Sequence, residues 1–462
     1  MRLMRFLCGM TLLTVVAVPA LASNDVVASD NLKVLGKAPA AQWIHRATFK
    51  DDLLIAAFDN GEPRGHIGGF NIFRLGTGDE PALKPISEFP CPGNGEGTIS
   101  HWKHFVFQAL ENPGPPNTHN QSVCGEEQGE IRVVDISDPR NPHKVGFIDL
   151  TCGSHGMTVF PDKGRLFIYN SNGCSAQGQL TGSTGQGGIA NTVNKIDVIE
   201  FDPKHPSRPI HHGKPKIVGM EGCHDITVYP PRDLAVCTGT ARWALLDISD
   251  PYNPELIGQP IDDLNTGPGS AQFTWDGQYV LLNEIPGRSY PSYFGCFGPH
   301  REHAYRIRIW NVEDTEDPRQ VGQYVLDREP PLWEPIEDHR CHPSNFTVVP
   351  MKDPNRYVAV TSWGSGGMST IDFSNPGNIK EIAYFQPQDA NIMWRTAWYN
   401  GRIYLTENWR GESSIPPEPP GVVVGSPAEV VALEVEGLGP HETRYFRTGL
   451  VTQWQDPKNL RR

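Results

Sequence analysis

The stretch IRVVDISDPRNPHKVGF at residues 131–147 returns as RWALLDISDPYNPELIG at residues 242–258. In both, an apolar, β-branched run precedes Asp-Ile-Ser-Asp-Pro, and a second short apolar run that contains glycine follows. Proline presets φ for a turn, and Asp or Asn can accept a hydrogen bond from the backbone two residues on. The block therefore predicts a strand, a tight turn and a second strand.

Five more divergent copies of this block bring the number to seven, at a spacing of roughly 60 residues. Three of them keep a proline turn: IDVIEFDPKHPSRPI at 196–210, IRIWNVEDTEDPRQVGQ at 307–323 and MSTIDFSNPGNIKEIAY at 368–384. Two keep only the strand: GGFNIFRLG at 68–76 and EVVALEVEG at 429–437.

Upstream of each copy lies a pair of apolar segments separated by a turn, as in HGMTVF, PDKG and RLFIYN at 155–170. Four antiparallel strands per repeat is the composition of a propeller blade. The sequence thus predicts an all-β, seven-bladed β-propeller of four-stranded antiparallel blades. A solenoid also repeats, but the long repeat and the Gly and Pro after every strand fit it poorly.

We expect a single propeller domain over residues 23–462. The blades fall at roughly 40–91, 92–152, 153–222, 223–267, 268–340, 341–390 and 391–450. Two segments compete for the fourth strand of the last blade. These are residues 31–36, which resemble a fourth strand, and the tail from Thr443 to Val451.

The repeat resembles the LVIVD family of exported bacterial and archaeal propellers, named for a strand motif that a D-x-S-D-P turn follows. Val133 to Pro139 and Leu245 to Pro251 carry the resemblance, which covers essentially the whole mature chain. It implies the fold and an exported protein. It implies no particular activity, since the family shares none.

The N-terminus has the pattern of an export signal. Arg2 and Arg5 precede an apolar run from Phe6 to Val18, which ends near Ala20-Leu21-Ala22. Residues 1–22 are thus a predicted signal peptide, and the mature protein is expected to be secreted or periplasmic. A retained signal anchor is the alternative. The net charge of −13 argues against nucleic acid and anionic membrane surfaces as partners, and no later run suggests membrane insertion.

Connections of unequal length favour one end of the propeller as the binding surface. The links between second and third strands are long in four blades, whereas those between first and second strands are tight. The long links are Leu110–Gln128, Asn170–Asn194, Glu284–Ala304 and Glu407–Ala428. Long loops on one end of a rigid scaffold are where binding usually occurs.

Eight of the nine cysteines belong to the mature chain, and an even number in an exported protein suggests disulfides. Their places in the repeat predict four bridges across the loops. The pairs are Cys91–Cys124, Cys152–Cys174, Cys223–Cys237 and Cys296–Cys341. A thiolate metal site is the alternative, although no Cys-x-x-Cys spacing supports it.

Histidines recur at the starts of blades, where equivalent residues should converge on the central channel. They are His155, His224 and His342, with His101 as a weaker equivalent. Imidazoles gathered there could ligate a transition metal such as Cu, Fe or Zn. Alternatively, each histidine bonds a neighbouring backbone oxygen.

Gln272 and Arg395 stand at two other blade starts, and a mixed polar ring suits a small polar or anionic ligand equally well. Aromatic side chains on the same rim could stack on a sugar, an aromatic compound or a peptide. The candidates are Trp394, Trp333 and Tyr293, together with Tyr290, Phe294, Phe297 and Trp409.

Two functions follow from these patterns. The first is a propeller that binds a small molecule or a protein partner on its loop face. The second is a periplasmic metal-dependent enzyme, an oxidoreductase, with a histidine-ligated metal at the channel mouth. No nucleophile elbow or zinc-protease motif occurs to favour a hydrolase.

Overall fold

The computed structural model describes residues 26–40, 43–59, 68–78, 80–90, 98–109, 130–150, 154, 156–171, 196–213, 215, 217, 219–220, 223–239, 242–262, 267–285, 305–328, 342–343, 345–351, 353–364, 366–387, 391–409 and 428–438. Within these residues the secondary structure is β-strand, apart from one 3-10 helical turn at Pro230–Arg232. None of them lies in a helix with the length and hydropathy that crossing a bilayer requires.

The described chain begins with two strands, β1 (Val26–Ala28) and β2 (Leu32–Ala40), whose partners come from the far end of the sequence. The strands that follow form seven antiparallel sheets in chain order. Blade 1 comprises β3 (Trp43–Lys50), β4 (Leu53–Asp59), β5 (Gly68–Leu75) and β6 (Leu83–Pro90). Blade 2 comprises β7 (Ile99–Trp102), β8 (Phe105–Ala109), β9 (Glu130–Asp135) and β10 (His143–Asp149).

The next three blades repeat the arrangement. Blade 3 comprises β11 (Gly156–Asp162), β12 (Arg165–Ser171), β13 (Ile196–Phe201) and β14 (Ile210–Gly213). Blade 4 comprises β15 (Asp225–Tyr229), β16 (Leu234–Thr238), β17 (Arg242–Asp247) and β18 (Glu255–Asp262). Blade 5 comprises β19 (Gly267–Phe273), β20 (Tyr279–Ile285), β21 (Ile307–Asn311) and β22 (Arg319–Tyr324).

The last two blades incorporate the N-terminal strands. Blade 6 comprises β23 (Asn345–Val349), β24 (Val358–Ser362), β25 (Met368–Asp372) and β26 (Lys380–Pro387). Blade 7 comprises β27 (Asn391–Tyr399), β28 (Arg402–Trp409) and β29 (Ala428–Val435). The predicted fold class is confirmed: these sheets form a seven-bladed propeller.

The first strand of every blade is the innermost one. Each first strand contacts the first strand of the next blade, and β27 of blade 7 contacts β3 of blade 1. The contacts therefore close a ring around the axis. Because neighbouring strands within a blade are antiparallel, the first strands begin and the second strands end at the same face. We call this the loop face.

The N-terminus completes the ring. β2 pairs with β29 from Leu32 opposite Val435 to Ala40 opposite Ala428, and so supplies the fourth strand of blade 7. The competing tail after residue 438 lies outside the described residues. In addition, β1 pairs with β26 and makes blade 6 five-stranded, which the repeat pattern did not indicate.

The Asp-Ile-Ser-Asp-Pro block and its divergent copy at Asp372 form the predicted turn. The Oδ1 atom of Asp135 accepts a hydrogen bond from the Ser137 backbone at 2.7 Å, and Asp247 accepts one from Ser249 at 2.8 Å. Asp372 does the same with Ser374 at 3.0 Å. These local bonds satisfy backbone donors at the point where the chain leaves the sheet, which explains the residue types at each place.

The glycine near the end of the block fits the turn of the next blade. A Cβ atom on Gly146 of β10 would collide with the backbone oxygen of Pro206, which follows β13 of blade 3. Gly322 of β22 has the same relation to Pro376 of blade 6. The glycine of one blade and the proline turn of the next blade thus contact each other across the boundary between the two blades, which we call a seam.

Candidate functional site

The long links of four blades are attached to the loop face. They join β8 to β9, β12 to β13, β20 to β21 and β28 to β29. Most of their residues lie outside the described residues, as do Trp333, Tyr293 and His155. Trp394 lies on β27, but its side chain is not described. The structure therefore leaves the predicted roles of these residues as predictions.

One predicted disulfide is confirmed. Cys223 and Cys237 are bonded, with their Cα atoms 5.2 Å apart. Cys237 lies on β16 opposite Ile226, whereas Cys223 precedes β15. The bridge therefore joins the start of blade 4 to its second strand at the loop face. The other three predicted pairs lie outside the described residues.

Four hairpins between first and second strands have a two-residue turn, so their residues can be matched by counting back from it. The last paired residues of the first strands are Lys50, Trp102, Asp162 and Tyr399. Four residues earlier stand Arg46, Thr98, Thr158 and Arg395. We call this place the inner-ring position.

In the middle blades, the side chain at the inner-ring position bonds to the next blade. Thr158 donates to the backbone oxygen of Ile226 in blade 4. Thr227 then donates to the oxygen of Ala271 at 2.6 Å, and Thr347 donates to that of Thr396 at 3.3 Å. Because their hydroxyl groups also donate to a backbone oxygen on the first strand of the next blade, we assign Thr227 and Thr347 to the inner-ring position of blades 4 and 6.

Gln272 takes this position in blade 5. Its Nε2 atom donates to the oxygen of Phe346 at 2.7 Å, and its Oε1 atom accepts from the Val348 backbone at 3.0 Å. Both ends of the amide thus bind one strand, β23 of blade 6. This geometry gives Gln272 a role in joining blades, and its predicted contact with a ligand stays a prediction.

Blades 7 and 1 differ, because each has an arginine at the inner-ring position. Arg395 and Arg46 are each only 5% exposed. Arg46 lies two residues before Thr48, which contacts His101 of blade 2, so both face that blade. The Nε atom of Arg46 has no hydrogen-bond partner, and no ion pair joins Arg46 to a carboxylate within the described parts of the chain.

The sequence pattern identified Arg395 but missed Arg46. The two segments, HRATFKDD from His45 and WRTAWYNG from Trp394, have their arginine at the same distance from the turn. This alignment was the sequence signal that could have identified Arg46. It was overlooked because the repeat copy of blade 1 is divergent and because blade 1 has no histidine at the place where other blades have one.

Two of the predicted histidines already have backbone or hydroxyl partners. The Nδ1 atom of His101 lies 2.7 Å from the Thr48 hydroxyl, and that of His224 lies 2.5 Å from the oxygen of Gly269. Burial, with a smaller effect of Lys50, lowers the pKa of His101 to about 3, so its ring is neutral at physiological pH. In metal-binding histidines, a contact of this kind through one ring nitrogen orients the other nitrogen towards the metal.

The structure does not bring the predicted metal ligands together. His342 is buried, with its ring 6.0 Å from that of Tyr305. His101, His224 and His342 belong to blades 2, 4 and 6, and His155 lies outside the described residues. Among the residues that are described, no group of three His, Cys, Asp or Glu side chains has the geometry to hold a metal ion.

Buried carboxylates near the loop face are paired. Asp197 is fully buried, accepts from Asn170 Nδ2 at 3.0 Å and lies 2.9 Å from His211 Nε2. Glu284 accepts from Arg308 Nε at 2.6 Å. Each carboxylate is therefore satisfied within its own blade.

Other buried polar atoms at the loop face have no hydrogen-bond partner, as far as the described residues go. They include Ser154 Oγ just before β11, Asn345 Oδ1 at the start of β23, Gln108 Oε1 near the end of β8 and Tyr305 Oη before β21. Burial raises the pKa of Tyr305 to about 12, so its hydroxyl stays protonated and can donate. These atoms are available to a bound molecule.

The fold is shared with solved structures of low sequence identity. The periplasmic gluconolactonase of Pseudomonas aeruginosa matches with a TM-score of 0.51 at 13% identity, over 74% of this chain and 85% of that one. A hypothetical selenium-binding protein from Sulfolobus tokodaii matches with a TM-score of 0.50 at 11% identity, over 78% and 83%. No family model and no curated protein matches the chain. These likenesses show the propeller fold alone.

Proposed function

We propose that the protein is an exported propeller of the LVIVD type, secreted or periplasmic, that binds a small ligand or a protein partner at its loop face. The observation that carries this proposal is the set of buried polar atoms without partners at that face, such as Ser154 Oγ and Asn345 Oδ1. A small molecule at the channel mouth is the occupant that best fits atoms on the innermost strands.

The energetic reason is the cost of leaving such groups unpaired. A buried donor or acceptor without a partner destabilises a fold by about 1–3 kcal/mol. Ser154 and Asn345 lie at the starts of blades 3 and 6, where first strands line the channel. A ligand that supplies the missing hydrogen bonds recovers this cost on binding.

Native mass spectrometry of protein isolated from its host without denaturation tests the proposal. We expect a bound mass that denaturation releases, and we expect the double variant Ser154→Ala, Asn345→Leu to lose it. The matched control is Ser87→Ala, because Ser87 bonds to the oxygen of Pro139 in the turn after β9. A bare wild-type protein, or the same adduct in all three proteins, would contradict the proposal.

A metal-dependent oxidoreductase is the second candidate. The contact of His224 Nδ1 with Gly269 favours it, since metal-binding histidines are commonly oriented through the other ring nitrogen. Elemental analysis of the exported protein should then find Cu, Fe or Zn in stoichiometric amount, which the double variant His155→Ala, His224→Ala would lose. If exported protein that still binds its ligand contains none of the three metals, this candidate function is excluded.

A further inference from the structure

Two neighbouring blades place a buried cation at the inner-ring position, where the other blades place a neutral side chain. Thr158 and Thr227 use the inner-ring position to donate one hydrogen bond to the next strand. Arg46 and Arg395 carry a planar guanidinium with five donors instead. The difference is confined to blades 7 and 1, whose first strands are in contact.

The guanidinium group of Arg46 has no compensating charge among the residues that the structure describes. Arg46 is only 5% exposed, and its Nε atom has no hydrogen-bond partner among the described residues. The buried carboxylates Asp197 of blade 3 and Glu284 of blade 5 are paired with His211 and Arg308. An unpaired buried charge is strongly unfavourable, so an arginine retained in this state needs an anion.

We infer that Arg46, with Arg395 at the same position of the adjoining blade, binds a small oxyanion such as a carboxylate or a phosphate at the mouth of the channel. This inference rests on the proposed binding function and specifies its ligand. Guanidinium groups match such anions by two parallel hydrogen bonds. The net charge of −13 disfavours polyanions, and a place on the innermost strands favours a small molecule.

Thermal unfolding of the mature protein in acetate, malonate or phosphate, each at constant ionic strength against chloride, tests the inference. At least one oxyanion should raise the midpoint of unfolding by several degrees in a saturable manner. Arg46→Gln and Arg395→Gln should each weaken the apparent affinity by about tenfold or more, since each removes a charge-assisted contact.

The same variants give a second readout without added anion. Arg46→Gln removes an uncompensated buried charge and should raise the midpoint of unfolding. The control, Arg308→Gln, breaks the ion pair with Glu284 and should lower it while leaving the anion response intact. A higher midpoint of unfolding for Arg46→Gln together with a lower one for Arg308→Gln would indicate that Arg46 serves binding and does not stabilise the fold.

Three outcomes would overturn the inference. They are an equal response to all anions including chloride, an unchanged response in both arginine variants, and a lower midpoint for Arg46→Gln in the absence of anion. If the adduct seen by native mass spectrometry persists in both arginine variants, the binding function holds and only the anion assignment fails. The same conclusion holds if the double variant Ser154→Ala, Asn345→Leu loses the adduct while both arginine variants keep it.

Discussion

The hydroxyl group of Thr227 donates a hydrogen bond to the backbone oxygen of Ala271 at 2.6 Å and so joins the first strands of blades 4 and 5. Both residues are buried, so water cannot replace the bond. Four successive seams, from blade 3 to blade 7, carry a bond of this kind from the inner-ring position.

Replacing Thr227 by the isosteric valine should therefore destabilise the protein by about 1–3 kcal/mol, because the oxygen of Ala271 loses a partner. Thr396 provides a matched comparison. It is equally buried, but its own hydroxyl has no partner, so Thr396→Val should be neutral or stabilising. Urea unfolding of both variants measures the difference, and equal effects would disprove this role of the inner-ring position.

Alanine at Gly146 or Gly322 should destabilise the protein by several kcal/mol, since each new Cβ meets a backbone oxygen of the neighbouring blade that cannot easily move. Gly36 on β2 is the control. A Cβ there would lie 3.6 Å from Ala82, an ordinary contact, so Gly36→Ala should be tolerated. Midpoints of thermal unfolding that do not separate Gly36→Ala from the other two would refute the seam contact.

His101 should make the protein acid-sensitive. Burial lowers its folded pKa to about 3, well below the ordinary value of 6.5, so the unfolded chain binds a proton that the folded protein excludes. The contribution of His101 is fully present above pH 6.5 and is lost as the pH falls towards 3, at up to about 1.4 kcal/mol per pH unit.

Urea unfolding between pH 7 and pH 4 measures this slope in the wild-type protein and in His101→Gln. The variant should show a shallower pH dependence. His143→Gln, at an exposed place on β10, serves as the control for loss of one imidazole. An identical slope in wild type and His101→Gln would contradict the assignment.

Closure by β2 predicts a sharp difference between two truncations. Of the described strands, removing the chain through residue 28 deletes only the edge strand β1 of blade 6, and it should give a folded, less stable protein. Removing it through residue 40 deletes the fourth strand of blade 7 and should abolish cooperative unfolding. Circular dichroism and thermal melts separate the cases, and a cooperative melt for the longer deletion would contradict closure by β2.

The fold was predictable because its repeat is local. Asp135 and Asp247 mark their turns through bonds to backbone donors two residues away, and such signals depend on adjacent sequence alone. The three residues of β1 were not predictable, since a short strand without a turn motif carries no pattern. The tail and residues 31–36 remained competitors because β-pairing across the whole chain depends on closure of the ring.

The candidate site was only partly predictable for a related reason. Arg395 and Gln272 could be recognised as blade-start residues, yet only the structure shows that both ends of the Gln272 amide are engaged with β23. The alignment of its segment with that of Arg395 could have marked the position of Arg46. That its Nε atom has no partner, however, is a property of the packed protein that no sequence pattern records.

The most direct test of the binding site is a high-resolution crystal structure of the mature protein, isolated from its host and grown from a solution free of oxyanion precipitants. We predict non-protein density within about 2.7–3.1 Å of the guanidinium nitrogens of Arg46, on the side that faces blade 2. An Asp or Glu side chain of the protein itself, paired with Arg46 in that place, would contradict the account.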